Sequence, residues 1–62
     1  MYEKFAKLCD DRGVTPYAVS KATKVSQATL SEWKAGLYTP KVDKLMKIAE
    51  YFNVPLEYFL KE

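Results

Sequence analysis

Six lysines are concentrated in the middle of this chain, between positions 21 and 47. Only two acidic residues, Glu32 and Asp43, lie in the same stretch, which therefore carries a net charge of +4. The rest of the chain holds four basic and six acidic residues, a net charge of −2. Lysine ammonium groups bind phosphate, so a local excess of them indicates a surface for an anionic partner.

The residue types on which most enzymes depend are scarce. Histidine is absent and Cys9 is the single cysteine, so neither a Ser-His or Cys-His pair nor a set of metal ligands can be assembled. The two glycines, Gly13 and Gly36, do not form a glycine-rich phosphate loop. We therefore expect no enzymatic activity, no metal, no cofactor and no small-molecule substrate.

The length of 62 residues corresponds to one domain, residues 1–62. A chain this short buries only ~60% of the surface that its unfolded form exposes. With one cysteine it cannot form an internal disulfide, so the core depends on a hydrophobic content of 48%. The first residues show no apolar run of signal-peptide length, and no segment approaches the ~20 apolar residues of a membrane span. We expect a cytoplasmic protein.

The lysine-rich stretch must be positioned by helices, because apolar residues recur along the chain at helical spacing. The pattern predicts five short helices and an all-α fold, with approximate bounds of 2–11, 16–23, 27–35, 41–52 and 55–61. Thr15 and Ser26 are suited to cap the helices that follow them, whereas Gly13, Gly36 and Asn53 are suited to end helices.

Apolar residues define one face of each predicted helix. In the first four helices the inward-facing positions are Phe5, Leu8, Cys9, Val19, Ala22, Leu30, Trp33, Val42, Leu45, Met46, Ile48, Ala49 and Phe52. Trp33 is interpreted as a core residue, because aromatic residues at helical spacing are mostly buried. Cys9 is interpreted as a small buried hydrophobic residue.

Two of the predicted helices, between Thr15 and Gly36, are separated by a turn of only three or four residues. Val25 lies in this turn, with Val19 before it and Leu30 after it. These three side chains are placed to hold the two helices at a steep angle. This is the arrangement of a helix-turn-helix, in which the second helix fits the major groove of DNA.

The sequence of residues 15–36, TPYAVSKATKVSQATLSEWKAG, resembles the core of the Cro and phage-repressor (XRE-type) regulators. The sequence of residues 45–60, LMKIAEYFNVPLEYFL, is similar to the fourth and fifth helices of that family. The resemblance covers essentially the whole chain and implies a lambda-repressor-like fold with the helix-turn-helix at helices 2 and 3. It implies a sequence-specific regulator of transcription, a repressor, that binds double-stranded DNA.

Position by position, the resemblance makes residues 26–34 the recognition helix. It assigns contacts with DNA bases to Gln27, Ala28, Ser31 and Glu32, and contacts with the DNA backbone to Tyr17, Ser26, Lys34 and Lys41. Gln27 aligns with a glutamine that reads adenine in relatives, and a glutamine amide can offer a donor and an acceptor together to adenine N6 and N7.

Two residues depart from the pattern of the family. Pro16 stands where relatives usually have a glutamine that touches phosphate and braces the first base-reading residue. That contact is expected to be lost or to move to Tyr17. Lys24 stands in the turn where relatives prefer glycine, so a left-handed backbone is expected there at a cost of ~1 kcal/mol.

One recognition helix contacts only about three or four bases, too few to select a site in a genome. We therefore expect a homodimer that binds half-sites ~34 Å apart. The dimer contact is expected near the last helix, at Tyr51, Leu56, Tyr58, Phe59 and Leu60, unless these residues simply complete the core.

Two other functions remain open. One is an antitoxin or another protein-binding module of the same fold. The other is a helical interaction module without a role in DNA binding. The polar face formed by Gln27, Ala28 and Ser31 beside a lysine-rich turn favours the regulator over the interaction module.

Overall fold

The computed structural model describes residues 1–60, which contain five α-helices and no β-strand. The helices are α1 (Tyr2–Arg12), α2 (Pro16–Thr23), α3 (Gln27–Lys34), α4 (Val42–Phe52) and α5 (Glu57–Leu60). The all-α class and the number of helices are confirmed. No helix within residues 1–60 combines the length and the hydrophobicity needed to cross a bilayer.

The helix ends lie where local chemistry predicts them. The hydroxyl oxygens of Thr15 and Ser26 each accept a hydrogen bond from the backbone N–H three residues ahead, at 3.1 Å in both cases. Gly13, Gly36 and Asn53 adopt left-handed backbones with φ of 65°, 78° and 58°. These conformations turn the chain out of the preceding helix, and glycine and asparagine adopt them most readily.

The fifth helix differs from its predicted bounds. It begins at Glu57, two residues after the predicted start at Pro55. Pro55 and Leu56 precede the helix and supply only their carbonyls, each of which accepts a 3.0 Å hydrogen bond from the N–H three residues ahead. The predicted end near Lys61 lies outside the described residues.

Five aromatic residues from four helices pack together in and beside the core, and we call them the aromatic cluster: Tyr2, Phe5, Trp33, Phe52 and Phe59. The Trp33 ring lies 5.4 Å from the rings of both Tyr2 and Phe5 and 6.3 Å from that of Phe59, measured between centroids. Such spacings are typical of attractive aromatic pairs. The predicted core role of Trp33 is confirmed.

Phe59 was one of the five residues expected at a dimer contact. It is only 2% exposed and packs in the aromatic cluster, so it completes the core. Of the other four, Leu60 is 52% exposed and Tyr51 39% exposed, while Leu56 and Tyr58 are half-buried.

Cys9 lies in α1 beside this core and is 4% exposed, as predicted. Burial raises the pKa of its thiol, and the negative charge of Asp10 raises it further. The group is therefore protonated and inaccessible, which is the state of an inert structural cysteine.

The inward face of α2 differs from the prediction. Val19 is fully buried, but Ala22 is exposed, and the other inward positions belong to Ser20 and Thr23. The hydrophobicity of alanine does not by itself place it in a core, because alanine has little surface to bury. The two hydroxyl residues are buried because they hydrogen-bond to the backbone, as described below.

The apolar stripe of α4 is narrower than predicted. Leu45, Ile48 and Ala49 are buried, but Val42 and Met46 are 53% and 46% exposed. Val42 and Met46 are four residues apart and therefore lie one above the other at the margin of the stripe. The prediction counted Val42 and Met46 as buried because they are hydrophobic, so the predicted buried face of α4 was wider than the observed one.

Candidate nucleic-acid interface

The turn between α2 and α3 contains a lysine in a left-handed conformation. Lys24 has φ of 63° and ψ of 18°, and its N–H donates a 2.8 Å hydrogen bond to the carbonyl of Ser20. The expected left-handed backbone is confirmed. It costs a residue with a β-carbon roughly 1–2 kcal/mol relative to its ordinary conformations.

Two buried hydroxyl groups connect α2 to this turn. Ser20 Oγ donates to the carbonyl of Val25 at 2.6 Å, and Thr23 Oγ1 donates to the carbonyl of Val19 at 2.7 Å. Thr23 Oγ1 also accepts a hydrogen bond from the Val25 N–H at 3.3 Å. Val25 is 1% exposed, so its polar backbone groups are satisfied away from water by these side chains. The network fixes the turn immediately before α3 begins.

Ser20 and Thr23 were not among the residues expected at the site. A signal for them was present, because serine and threonine three residues apart at the end of a helix are suited to bond the backbone of the turn that follows. Val25, by contrast, was predicted to pin the two helices together with Val19 and Leu30. All three are buried, at 3% exposure or less.

The exposed surface of α3 carries the residues expected to contact bases. Gln27, Ser31 and Lys34 follow each other at intervals of four and three residues, so they lie along one side of the helix. Ala28 and Glu32, four residues apart, form the adjacent row. All five are exposed, whereas Leu30 and Trp33 on the opposite side are buried.

A cleft of about 170 Å³ separates this side of α3 from the N-terminal end of α2. Its lining consists of Tyr2, Pro16, Tyr17, Gln27, Leu30, Ser31 and Lys34. The cleft thus brings together four of the residues expected to contact DNA: Tyr17, Gln27, Ser31 and Lys34. They supply a phenol, an amide, a hydroxyl and an ammonium group, and each of these can donate a hydrogen bond.

The other four expected contact residues do not line the cleft. Ala28 and Glu32 lie farther around α3, and Lys41 is the exposed N-cap residue of α4. Ser26 is the N-cap of α3, and its hydroxyl also lies 2.9 Å from the hydroxyl of Thr29. Ser26 is exposed, so it remains open to solvent while it caps the helix.

Pro16 and Tyr17 form the side of the cleft that α2 provides. Tyr17 is 52% exposed, and the ammonium of Lys21 lies 5.4 Å from the centroid of its ring. A cation at this distance is attracted to the face of the ring and restricts its position. Lys21 was not among the expected site residues, although its position four residues after Tyr17 places it on the same side of α2.

Tyr2 also lies at the site, although it was not among the expected site residues. It packs against Trp33 and Phe5 and lines the cleft from α1. Burial raises the pKa of its phenol, and ionisation of Cys9 at high pH raises it further, so the phenol is a neutral hydrogen-bond donor at neutral pH. Its spacing of three residues from Phe5 predicts the shared face, but the contact with α3 depends on the tertiary fold.

No carboxylate of the described residues forms a salt bridge with the lysines around the turn and α3. Within residues 1–60 the one salt bridge joins the N-terminal ammonium to Glu3 at 2.9 Å, and that hydrogen bond lowers the pKa of the Glu3 carboxyl. Lys21, Lys24, Lys34 and Lys41 are exposed. Their positive charges are therefore available to an anionic partner.

The comparison with known families gives one match. The model of the helix-turn-helix family matches residues 5–59, which include α2, the turn, α3 and α4 in full. No curated protein and no solved structure matches the chain. The family match covers the hydroxyl network and the exposed side of α3 that borders the cleft. This chain therefore belongs to the helix-turn-helix family of the Cro and phage-repressor (XRE) type and is a DNA-binding domain.

Proposed function

We propose that this protein is a sequence-specific repressor of transcription that reads operator DNA in the major groove through α3. The observation that carries the proposal is the side of α3 formed by Gln27, Ser31 and Lys34, which is exposed and faces the N-terminal end of α2 across the cleft. Residues 1–62 act in this role as one domain, without a cofactor or a catalytic step.

The first two turns of α3 supply the base contacts in this proposal. Gln27 pairs with adenine N6 and N7, and Ser31, one turn later on the same side, reaches a neighbouring base. Ala28 presses its methyl group against a thymine methyl, and Glu32 accepts a hydrogen bond from cytosine N4. Their exposure, together with the burial of Leu30 and Trp33, supports this division of the helix.

The residues at the ends of the helices contact the DNA backbone. Tyr17 and Lys34 face each other across the cleft and hold phosphate oxygens from α2 and α3. Lys41 adds a positive charge at the start of α4. Ser26 donates its proton to a phosphate while its oxygen continues to cap α3, an arrangement that is possible when the Thr29 hydroxyl donates to it.

We further propose that two copies bind the operator together. The contact is placed at Leu56 and Leu60, which are four residues apart at the last helix and retain exposed apolar surface. Tyr58 takes a smaller part, because its backbone carbonyl and its ring are both occupied by the Lys4 ammonium, at 3.0 Å and 5.6 Å. Analytical ultracentrifugation that finds only monomer, with and without operator DNA, would contradict the dimer.

The experiment that tests DNA reading is selection of random duplex DNA by the full chain, followed by sequencing, at two salt concentrations. The expected result is a palindromic motif with half-sites about one helical turn apart. Salt-sensitive binding without an enriched motif would contradict base reading and leave only phosphate binding. A complete failure to bind DNA would contradict the proposal as a whole.

Two substitutions separate base reading from phosphate binding. Gln27→Ala is expected to lose ~1–3 kcal/mol of affinity for the selected operator and little for random DNA. Lys34→Ala is expected to weaken both by similar amounts and to reduce the slope of log affinity against log salt by about one. Lys7→Ala, which removes an exposed lysine of α1, is the matched control for loss of charge. Equal losses for both variants on both DNAs would overturn this division.

A further inference from the structure

A second concave surface lies at the other end of α2, and we call it the α2–α4 groove. It encloses about 430 Å³ and is lined by Ala22, Thr23, Lys24, Lys47, Glu50 and Tyr51. It shares no residue with the cleft at the N-terminal end of α2. None of its residues has a role in the proposed contacts with DNA.

The walls of the groove combine apolar surface with positive charge. Tyr51 is 39% exposed and Ala22 is exposed as well, so residues 1–60 leave both uncovered. Lys24 and Lys47 are exposed, and within residues 1–60 neither lies within salt-bridge distance of a carboxylate. Glu50 is the single acidic residue of the lining. The groove therefore offers two ammonium groups and an aromatic ring against one carboxylate.

The position of Lys24 is the second observation. The chain ends α1 and the segment after α3 with glycine in left-handed conformations, but it ends α2 with lysine in the same conformation. Glycine adopts this backbone without steric cost, whereas lysine does not. A costly backbone conformation is often associated with a functional position. Here it places an ammonium group at the edge of the groove.

We propose that the α2–α4 groove binds an acidic segment of a partner protein. Carboxylates of the segment pair with Lys24 and Lys47, and an apolar side chain of the segment packs against Tyr51 and Ala22. Charge complementarity selects an acidic partner. The apolar walls favour a peptide over nucleic acid, because a phosphate backbone has no apolar side chain to place there.

The test is a selection of short random peptides, displayed on phage, on the folded full-length chain. A Lys24→Gly/Lys47→Ala double variant is used for counter-selection, and Lys7→Ala is the matched control. The expected result is enrichment of peptides in which Asp or Glu flanks Leu, Phe or Tyr. Affinity for such a peptide should fall about tenfold or more in the double variant and remain unchanged in the control. Backbone amide shifts on peptide binding should map to residues 22–24 and 47–51.

Four results would overturn the proposal. The first is that the selected peptides are not enriched in Asp or Glu, and the second is that an enriched peptide binds the double variant as tightly as the parent chain. The third is that the amide shifts centre on Gln27 and Ser31. The fourth is that the double variant binds DNA more weakly than the parent chain and with a lower salt dependence. The last result would assign Lys24 and Lys47 to phosphate contacts. Far-UV circular dichroism checks the fold of the double variant, in which glycine at position 24 suits the turn.

Discussion

The two ends of α3 are held by different kinds of interaction. At the C-terminal end, Trp33 packs among the rings of the aromatic cluster. At the N-terminal end, the turn is tied to α2 by the hydroxyl groups of Ser20 and Thr23, through hydrogen bonds of 2.6 and 3.3 Å to the backbone of Val25. Ring packing depends mainly on buried area, whereas a hydrogen bond depends on distance and angle.

This difference matters for DNA binding because the residues proposed to read bases begin at the N-terminal end. Gln27 directly follows the capping residue Ser26, and Ser26 follows Val25, whose carbonyl accepts a hydrogen bond from Ser20 and whose N–H donates one to Thr23. The orientation of Gln27 thus depends on the turn, while the stability of the domain depends more on the cluster. We therefore expect substitutions at the C-terminal end to change mainly stability, and substitutions at the N-terminal end to change operator affinity as well.

The largest expected effect is at the C-terminal end. Trp33→Ala removes the ring that joins α1, α3 and α5, and replacement of a buried tryptophan by alanine costs ~3–5 kcal/mol. A domain of this length has a total stability of roughly 3–9 kcal/mol. We therefore expect the Trp33→Ala variant to lose at least about a third of its stability at 25 °C, as measured by urea titration followed by circular dichroism.

Trp33→Phe is the informative companion variant. It keeps an aromatic ring in the cluster, so a smaller loss of stability is expected and the variant remains folded. Operator affinity under folding conditions should then match the parent chain. A folded Trp33→Phe variant that has lost operator affinity would show that the cluster also orients α3, and the comparison of the two ends would fail.

Substitutions of the two hydroxyl residues of α2 that hold the turn are expected to have smaller effects on stability. Ser20→Ala removes the donor to the Val25 carbonyl, and Thr23→Val removes the acceptor of the Val25 N–H. Each leaves a buried backbone group without its partner, at a cost of ~1–3 kcal/mol. Operator affinity, measured by fluorescence anisotropy, should fall in both variants, because the start of α3 is no longer held in place.

Ile48→Val is the control for this prediction. Ile48 is fully buried in α4, and loss of its methyl group costs ~0.5–1.5 kcal/mol without touching the turn. Operator affinity of the folded control should equal that of the parent chain. If the turn variants lose no more operator affinity than Ile48→Val does, the hydroxyl network contributes to stability alone.

The same contrast separates what the sequence could predict from what it could not. The capping residues Thr15 and Ser26 and the helix-ending Gly13 and Asn53 were predictable because helix ends depend on residues close in the chain. The order and number of helices followed from them. The left-handed Lys24 was expected from the family resemblance instead. The inward face of α2 was not predictable, because it depends on the direction from which another helix packs.

The candidate site divides in the same way. Spacing along α3 placed Gln27, Ser31 and Lys34 on one side, since a helix sets those relations by itself. Tyr17 and Tyr2 lie close to that side of α3 because of the way α2 and α1 pack against it. Family resemblance identified Tyr17 as a site residue, whereas Tyr2, Ser20 and Thr23 were not among the residues expected at the site.

The smallest expected effect is at Lys24, where the turn carries a backbone strain that the aromatic cluster lacks. Lys24→Gly relieves a cost of roughly 1–2 kcal/mol for a left-handed residue with a β-carbon. Glycine also makes the unfolded chain more flexible, which offsets ~0.4–1 kcal/mol. A net gain of about 0–1.6 kcal/mol is expected, measured as a higher urea midpoint with an unchanged slope.

Asn53→Gly is the matched control, because Asn53 ends α4 with φ of 58° and asparagine tolerates this backbone better than lysine does. Its gain should be smaller than that of Lys24→Gly. Lys24→Gly should also keep its operator affinity, since the backbone geometry before Ser26 is retained. A loss of stability in Lys24→Gly would mean that contacts of the lysine side chain outweigh the strain. A loss of operator affinity would mean that the lysine belongs to the DNA interface, and the N-terminal end of α3 would then depend on charge as well as on hydrogen bonds.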